Sequence, residues 1–233
     1  MSEHVQKLAV LTENISKVIV GKNEAIRSLI VGLLTNGHIL IEDVPGTGKT
    51  MLSLALAKSI GGEFKRIQFT PDLLPSDVTG GTVYNPRTGE FDFKKGPVFA
   101  NILLADEINR TTPRTQSSLL ECMQEYKVTL DGNTYCLPKP FMVVATENPI
   151  EFQGTYPLPE AQIDRFLMKI SLGYLSINEE TRVISEQKYA HPIESLKPVL
   201  SLDDVIVLQE EVKKITLSEK ILDYIVRLVA GTR

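Results

Sequence analysis

Cysteine is scarce in this chain: Cys122 and Cys136 are the only two among 233 residues. Their separation matches no zinc-ligand spacing. With no apolar secretion segment in the polar stretch Met1 to Ala9, they read as reduced thiols of a cytoplasmic protein. Histidine is also sparse. His4, His38 and His191 are scattered, none in a His-x-x-x-His pattern, so they read as surface or packing residues. Nothing resembles a nucleophile triad. No apolar run is long enough to span a bilayer, Ser28 to Leu34 falling far short. Excess positive charge is missing too. Lys and Arg number 25 against 29 Asp and Glu, a net charge of −4 that argues against a surface built for nucleic-acid phosphates. What is present is apolar material: 42% hydrophobic residues are enough for a packed core, in one large domain or one with a small companion.

Apolar positions Val5, Leu8, Leu11, Ile15 and Val18 recur at helical spacing, and Ile26, Leu29, Ile30, Leu33 and Leu34 repeat the signal over 23–35. Asn36-Gly37 ends that second helix. Buried-type strands are expected at Ile39 to Ile41, Asn101 to Ala105 and Phe141 to Thr146, with others at Phe64 to Phe69 and Leu167 to Leu172. Helices are expected at Met51 to Ile60, Thr115 to Glu125 and Glu160 to Phe166. Residues 71–81 read as a loop with a turn of helix. Two hairpins are expected, at Thr82 to Phe93 and at 127–137, the second turning at Asp131-Gly132. Strands alternating with helices imply a mostly parallel α/β sheet. Beyond Gly173 the pattern changes to three helices, Asn178 to Tyr189, Leu202 to Val212 and Ser218 to Val229, so a domain boundary is expected there: 1–173, then 174–233.

Residues 38–50, His-Ile-Leu-Ile-Glu-Asp-Val-Pro-Gly-Thr-Gly-Lys-Thr, carry the strongest chemical signal. A strand runs into a glycine-bearing loop and then into Lys-Thr at a helix start. That order suits a nucleoside triphosphate: backbone N–H groups cradle phosphate, the lysine reaches the outer phosphates, and the threonine hydroxyl can ligate magnesium. The strict pattern has glycine where Asp43 stands; aspartate tolerates turns, and Gly46 and Gly48 keep the positions closest to phosphate.

Three further motifs fit that site. The strand 101–105 delivers Asp106 and Glu107 to its C-terminal end, where open parallel sheets bind ligands. Asp106 can hold magnesium through water and Glu107 can polarise an attacking water. The strand from Phe141 leads to Asn148, whose amide can position that water or simply form a turn before Pro149. Arg165, in Ile-Asp-Arg-Phe, can neutralise transition-state charge from a neighbouring subunit. An isolated arginine at such a place is more commonly a surface ion pair. Arg110 and Arg114 are second candidates.

These residues resemble the MoxR group of AAA+ ATPases. The resemblance rests on Gly37-His38 through Thr50, Lys95 to Ala100, Ala105 to Arg110, Gln116 to Glu125, Ala145 to Pro149 and Gly154 to Phe166. It implies an AAA+ P-loop core with a parallel five-stranded sheet in the order 5-1-4-3-2, and the two hairpins as inserts typical of that branch. It implies ATP and Mg2+ as ligands. Pro45, Gly46, Thr47, Gly48, Lys49, Thr50 and Met51 would form the phosphate cradle, Thr50 and Asp106 the metal contacts. Glu107 would activate water, Asn148 take the first sensor's place and Arg165 the arginine finger's. Ile19 to Lys22, with Val20, Gly21 and Lys22, would wrap the adenine. Similar proteins end in a helical lid with a second-sensor arginine in a Ser-Pro-Arg segment. This chain stops before such a segment, and Arg233 does not match it, so the expected lid is partial, in a fragment or a shortened relative.

The resulting expectation is an ATPase that remodels or matures client proteins in a homo-hexameric ring, with von Willebrand factor A domain proteins among its partners. Two alternatives are a nucleic-acid motor and a nucleotide-gated scaffold with little turnover. The motor needs basic hairpin tips. The first hairpin offers Arg87, with Lys94 and Lys95 behind it, against Glu90 and Asp92, and the second offers Lys127 against Asp131.

Overall fold

The structure is a computed structural model that describes residues 3–149, 154–186 and 191–232. Along the chain run α1 (Glu3–Ser16), α2 (Asn23–Leu34), β1 (Ile39–Glu42), α3 (Lys49–Ser59), β2 (Phe64–Gln68) and α4 (Pro75–Thr79). A hairpin follows, β3 (Gly80–Asn85) and β4 (Glu90–Lys95), then β5 (Ile102–Asp106), a 3-10 turn at Ile108–Arg110 and α5 (Pro113–Glu125). The second hairpin is β6 (Lys127–Leu130) and β7 (Asn133–Cys136). Next come β8 (Met142–Glu147), α6 (Glu160–Ile163) and β9 (Met168–Ile170). The C-terminal part is helical: α7 (Ile177–Glu186), α8 (Pro192–Ser195), α9 (Leu202–Lys213) and α10 (Glu219–Ala230).

Five strands form one parallel sheet in the order β2-β5-β8-β1-β9. Counted along the chain as first to fifth, that is the expected 5-1-4-3-2. Side chains alternate between faces in a strand, and here each face has its own core. Ile39, Ile41, Ile102, Leu104, Met142 and Val144 join one apolar cluster with α1, α2 and α3. Leu40, Leu103, Ala105, Val143 and Ala145 join the other, with Leu119, Leu120 and Met123 of α5. A parallel sheet covered on both faces needs strands that are apolar throughout, which is why β1, β5 and β8 read as unbroken apolar runs. The polar residues come only within the last two positions of these strands: Glu42, Asp106, Thr146 and Glu147.

Several boundaries differ from expectation, each for a local reason. Helix α3 starts at Lys49, two residues early, because the loop before it closes directly into the first turn. The first hairpin extends back to Gly80 and forward to Lys95. A Cβ on Gly80 would overlap Lys94 O, so only glycine permits that pairing. Helix α6 stops at Ile163, short of Phe166. The short α8 was not anticipated; it opens with Pro192, and the His191 ring nitrogen accepts from Ile193 N–H at 3.2 Å. The expected continuation of α7 to Tyr189, and Arg233, lie outside the described residues. Ile193, Leu196, Leu200, Val205 and Leu208 enter the same cluster as Ile39 and Leu52, whereas α10 buries none of its residues. Among the described residues no helix is long and apolar enough to cross a membrane.

One histidine is locked into the core under the start of β1. His38 is 3% exposed, packed against the rings of Tyr126 and Phe141. Its Nδ1 accepts from Val143 N–H at 3.0 Å, so Nε2, 3.0 Å from Met123 O, carries the proton and donates to that carbonyl. Burial pushes its pKa down to about 4 from 6.5. Between those values the unfolded chain binds the extra proton and the native chain does not, so stability rises with pH across that window. The contribution should be complete above pH 6.5 and lost as pH falls to about 4. Its size, from a shift of that order, is about 3 kcal/mol. Urea titrations over this range should show that fall in the wild type. His38→Gln should be less stable at pH 7 but flatter with pH; an equal slope would rule out His38 as the cause.

Candidate nucleotide site

The C-terminal edge of the sheet gathers the polar residues, and the loop 43–48 closes over it from β1 to α3. Gly46 and Gly48 have φ of +84° and +92°. A Cβ at either would meet nothing within 4 Å, so backbone conformation rather than crowding calls for glycine. Gly48 is the N-cap of α3 and supplies no side-chain cap, so the first-turn N–H groups are available to an outside acceptor. Lys49 Nζ donates to the carbonyls of Asp43 and Val44 at 2.9 and 3.0 Å. Asp43, where the strict pattern has glycine, is 6% exposed and has no positive φ, so the loop does not need glycine there.

Lys49, Thr50, Pro45 and Met51 line a cavity of about 370 Å³. Asp106, Glu107 and Asn148 line the same cavity. Sequence reasoning thus placed these residues at one site. It missed four others, Arg66, Gln68, Thr146 and Glu147, which line the same cavity. Arg66 donates to Asp106 Oδ2 through Nη2 at 2.7 Å and Nε at 3.1 Å. Gln68 Nε2 donates to Glu107 Oε2 at 2.6 Å, and Arg110 Nη1 to the same oxygen at 2.9 Å. Arg66 and Gln68 are two apart on edge strand β2, hence on one face. Polar residues are ordinary on an exposed edge strand, so the sequence carried no signal that marked these two out.

Thr146 joins the two acidic residues. Its hydroxyl donates to Asp106 Oδ1 at 2.6 Å and accepts from Glu107 N–H at 2.8 Å. Glu107 itself sits in the left-handed region, φ +57° and ψ +51°, at a cost of roughly 1–3 kcal/mol for a residue with a Cβ. The pairing with Thr146 offsets part of that cost. Beside it, burial raises the Glu147 carboxyl pKa, with Lys169 opposing and Glu42 reinforcing the shift.

An apolar hollow of about 200 Å³ adjoins the loop. Ile19, Val20 and Lys22 line it together with Leu172 and Leu175 and with Gly46, Thr47, Gly48 and Met51. It has the apolar lining a purine base needs. Gly21 is not in that wall; it faces Glu179 in a neighbouring hollow with Asn23 and Arg182. Arg165 stands apart as well. It is exposed, its Nη1 donates to Leu120 O at 2.9 Å, and it lines a separate surface hollow with Ser117, Glu121 and Gln124. Arg110 pairs with Glu107, and Arg114 is exposed.

The residues present fit a triphosphate: an uncapped helix start, two left-handed glycines and a lysine. They also fit a hard cation. Thr50 and Asp106 offer oxygen atoms on one cavity, and Asp106 Oδ1, which accepts from Thr146, keeps a second acceptor site, whereas Oδ2 is taken by two Arg66 donors.

The parallel sheet, the phosphate loop and the acidic pair together define a P-loop nucleotide-binding α/β protein. Residues 38–168 match the family described as "ATPase family associated with various cellular activities (AAA)". The chain is similar to the uncharacterized protein YeaC of Bacillus subtilis, 58% identical over 95% of this chain and 69% of that one. It is 48% identical to Chaperone MoxR1 of Mycobacterium tuberculosis over 94% of this chain and 58% of that one. A crystal structure from Cytophaga hutchinsonii, described provisionally as an ATPase, superposes with a TM-score of 0.89 at 47% identity, over 99% of this chain and 70% of its own. The chain belongs to the MoxR group of AAA+ ATPases.

The Thr146 bridge has a direct test. Thr146→Val keeps the shape but leaves Glu107 N–H without its acceptor and Asp106 without one donor. The cost should be about 1–3 kcal/mol in denaturant unfolding. A neutral change would mean that the bridge contributes nothing.

Proposed function

We propose that this chain is the nucleotide-binding and hydrolysing part of a chaperone-like remodelling protein, converting ATP and water to ADP and phosphate. The observation that carries this reading is the meeting of Lys49, Thr50, Asp106, Glu107 and Asn148 around one cavity, with an apolar base-sized hollow beside it. Lys49 and the N–H groups of loop 46–51 bind the outer phosphates. Thr50 and Asp106 hold magnesium, which neutralises charge on those phosphates when bound. Asn148 orients a water. Glu107 accepts its proton as the water oxygen bonds to the γ-phosphorus and the bond to the bridging oxygen breaks, releasing ADP. Val20, Lys22, Leu172 and Leu175 hold the base.

Arg165 acts on a neighbouring copy in this reading. Its exposed place, apart from the cavity that holds Lys49, supports a role between subunits and thus a ring, for which we take six copies. Residues 1–173 form the nucleotide-binding core and 174–233 part of a helical lid. Clients are proteins, with von Willebrand factor A domain proteins as candidates, in the cytoplasm. The name of the Mycobacterium relative, Chaperone MoxR1, supports the client-protein reading. The hairpins offer little to nucleic acid, since Asp92 and Glu90 sit on the same strand as Lys94 and Lys95.

Glu107→Gln should bind ATP as tightly as the wild type while turnover falls about 10²–10⁴-fold. Radiolabelled ATP binding and phosphate release measure the two. Unchanged turnover would remove Glu107 from its role; no phosphate release even from the wild type would favour a nucleotide-gated scaffold. Arg165→Ala should leave ATP binding intact and lower turnover of the assembled protein by about 10³–10⁵. Mixing it with the Lys49→Ala variant should restore some activity, because each supplies what the other lacks. Absence of any rescue would place Arg165 outside the shared site.

A further inference from the structure

Asp43 stands at the first position of the phosphate loop with its carboxylate buried and both oxygens hydrogen-bonded. Oδ2 accepts from Leu172 N–H and Gly173 N–H, both at 2.7 Å, and lies 3.4 Å from the Ser171 hydroxyl. Oδ1 accepts from Val44 N–H at 2.8 Å. The backbone N–H of Asp43 donates to Glu147 O at 3.1 Å, extending the ladder between β1 and β8 by one step. On the other side, β1 pairs with β9 only as far as Ile41 and Ile170. Past that point the two strands part, and the side chain of Asp43 replaces the missing backbone partner.

The segment it holds is the wall of the base hollow. Leu172 and Leu175 line that hollow, and the segment leads on to α7. From the opposite side Lys22, itself a lining residue, donates to Gly173 O at 3.0 Å and Tyr174 O at 2.8 Å. Residues 171–174 are therefore clamped between the phosphate loop and the 19–22 turn. Glycine at position 43 would keep the backbone bond to Glu147 O and the Lys22 bonds but remove every bond to the Asp43 carboxylate.

Resting on the reading of this cavity as an ATP site, we infer that Asp43 is a positioning residue that ties the phosphate loop to the base-binding wall. Phosphate contacts depend on the loop and the start of α3, within which the Asp43 carboxylate makes the single bond to Val44 N–H; base contacts depend on where Leu172 and Leu175 stand relative to them. Loss of the carboxylate uncouples the two, so a ligand that uses both halves suffers and a ligand that uses only the phosphate half does not.

The experiment compares ATP with inorganic tripolyphosphate by calorimetry on the full 233-residue chain. Asp43→Gly should weaken ATP by about tenfold, the scale of losing charge-assisted hydrogen bonds, and leave tripolyphosphate within about twofold. Asp43→Asn retains one acceptor oxygen and the volume. It should fall between wild type and the glycine variant for ATP, again with tripolyphosphate unchanged. A merely structural role would weaken both ligands together, and that result, or wild-type ATP binding in both variants, overturns the inference. If Asp43→Gly does not fold, Asp43→Asn alone decides between the same outcomes. Wild-type protein that binds tripolyphosphate but gains nothing from the adenosine would sink the base-hollow reading instead, and wild-type protein that binds neither would sink the nucleotide site.

Discussion

Burial of the sheet on both faces is the constraint from which the rest follows. The central strands β1, β5 and β8 carry only apolar side chains until their last two residues, because each face is occupied by its own apolar cluster. Polar groups are admitted only where the strands run out. Three neighbouring strands therefore release Glu42, Asp106, Glu147 and Asn148 along one short edge, and the loop from β1 brings the start of α3 to the same edge. The concentration of chemistry there is a consequence of excluding it everywhere else.

That edge is crowded with negative charge, and the structure manages it by specific pairing. Arg66 holds Asp106, Arg110 and Gln68 hold Glu107, and Lys169 holds Glu42 at 2.7 Å. Each pair is partly exposed, so none contributes much to stability. Their effect is on position. Glu107 has a strained backbone held by Thr146 at its N–H, and a carboxylate held by Gln68 and Arg110. Catalysis by phosphoryl transfer depends mainly on such placement and on charge balance. An acidic residue that is free to rotate would need to be ordered at each turnover.

Most of this was legible in the sequence because periodicity and motif spacing report burial and backbone conformation. The apolar runs of β1, β5 and β8 are what a sheet covered on both faces requires. Asp106, Glu107 and Asn148 follow such runs directly. Arg66 and Gln68 were missed because they lie on an exposed edge strand, where polar residues are ordinary and alternation carries no chemical label. Thr146 was missed because a hydroxyl inside an apolar strand is compatible with plain burial; only the register that sets β8 beside β5 reveals its two partners. Gly21 was grouped with the base contacts by its place in the chain, yet a single residue's turn directs it at Glu179. The early start of α3 escaped because a helix N-terminus without a side-chain cap leaves no capping residue to read.

Asp43 shows how a departure from a pattern can be informative. The glycine of the strict motif is needed where the backbone must take a conformation closed to other residues, and Asp43 takes none. The position is then free to carry a side chain, provided its polar atoms find partners at 6% exposure. They find them because β9 ends at Ile170, leaving the N–H groups of Leu172 and Gly173 without a strand to pair with. A short carboxylate fits this gap, since each oxygen can accept more than one bond and aspartate loses little side-chain entropy compared with a longer acid. An unpaired carboxylate here would be strongly destabilising, and so would two unpaired backbone donors. Each requirement answers the other, so residue 43 and the end of β9 have to be read together: changing the length of β9 would alter which residues are tolerated in the phosphate loop.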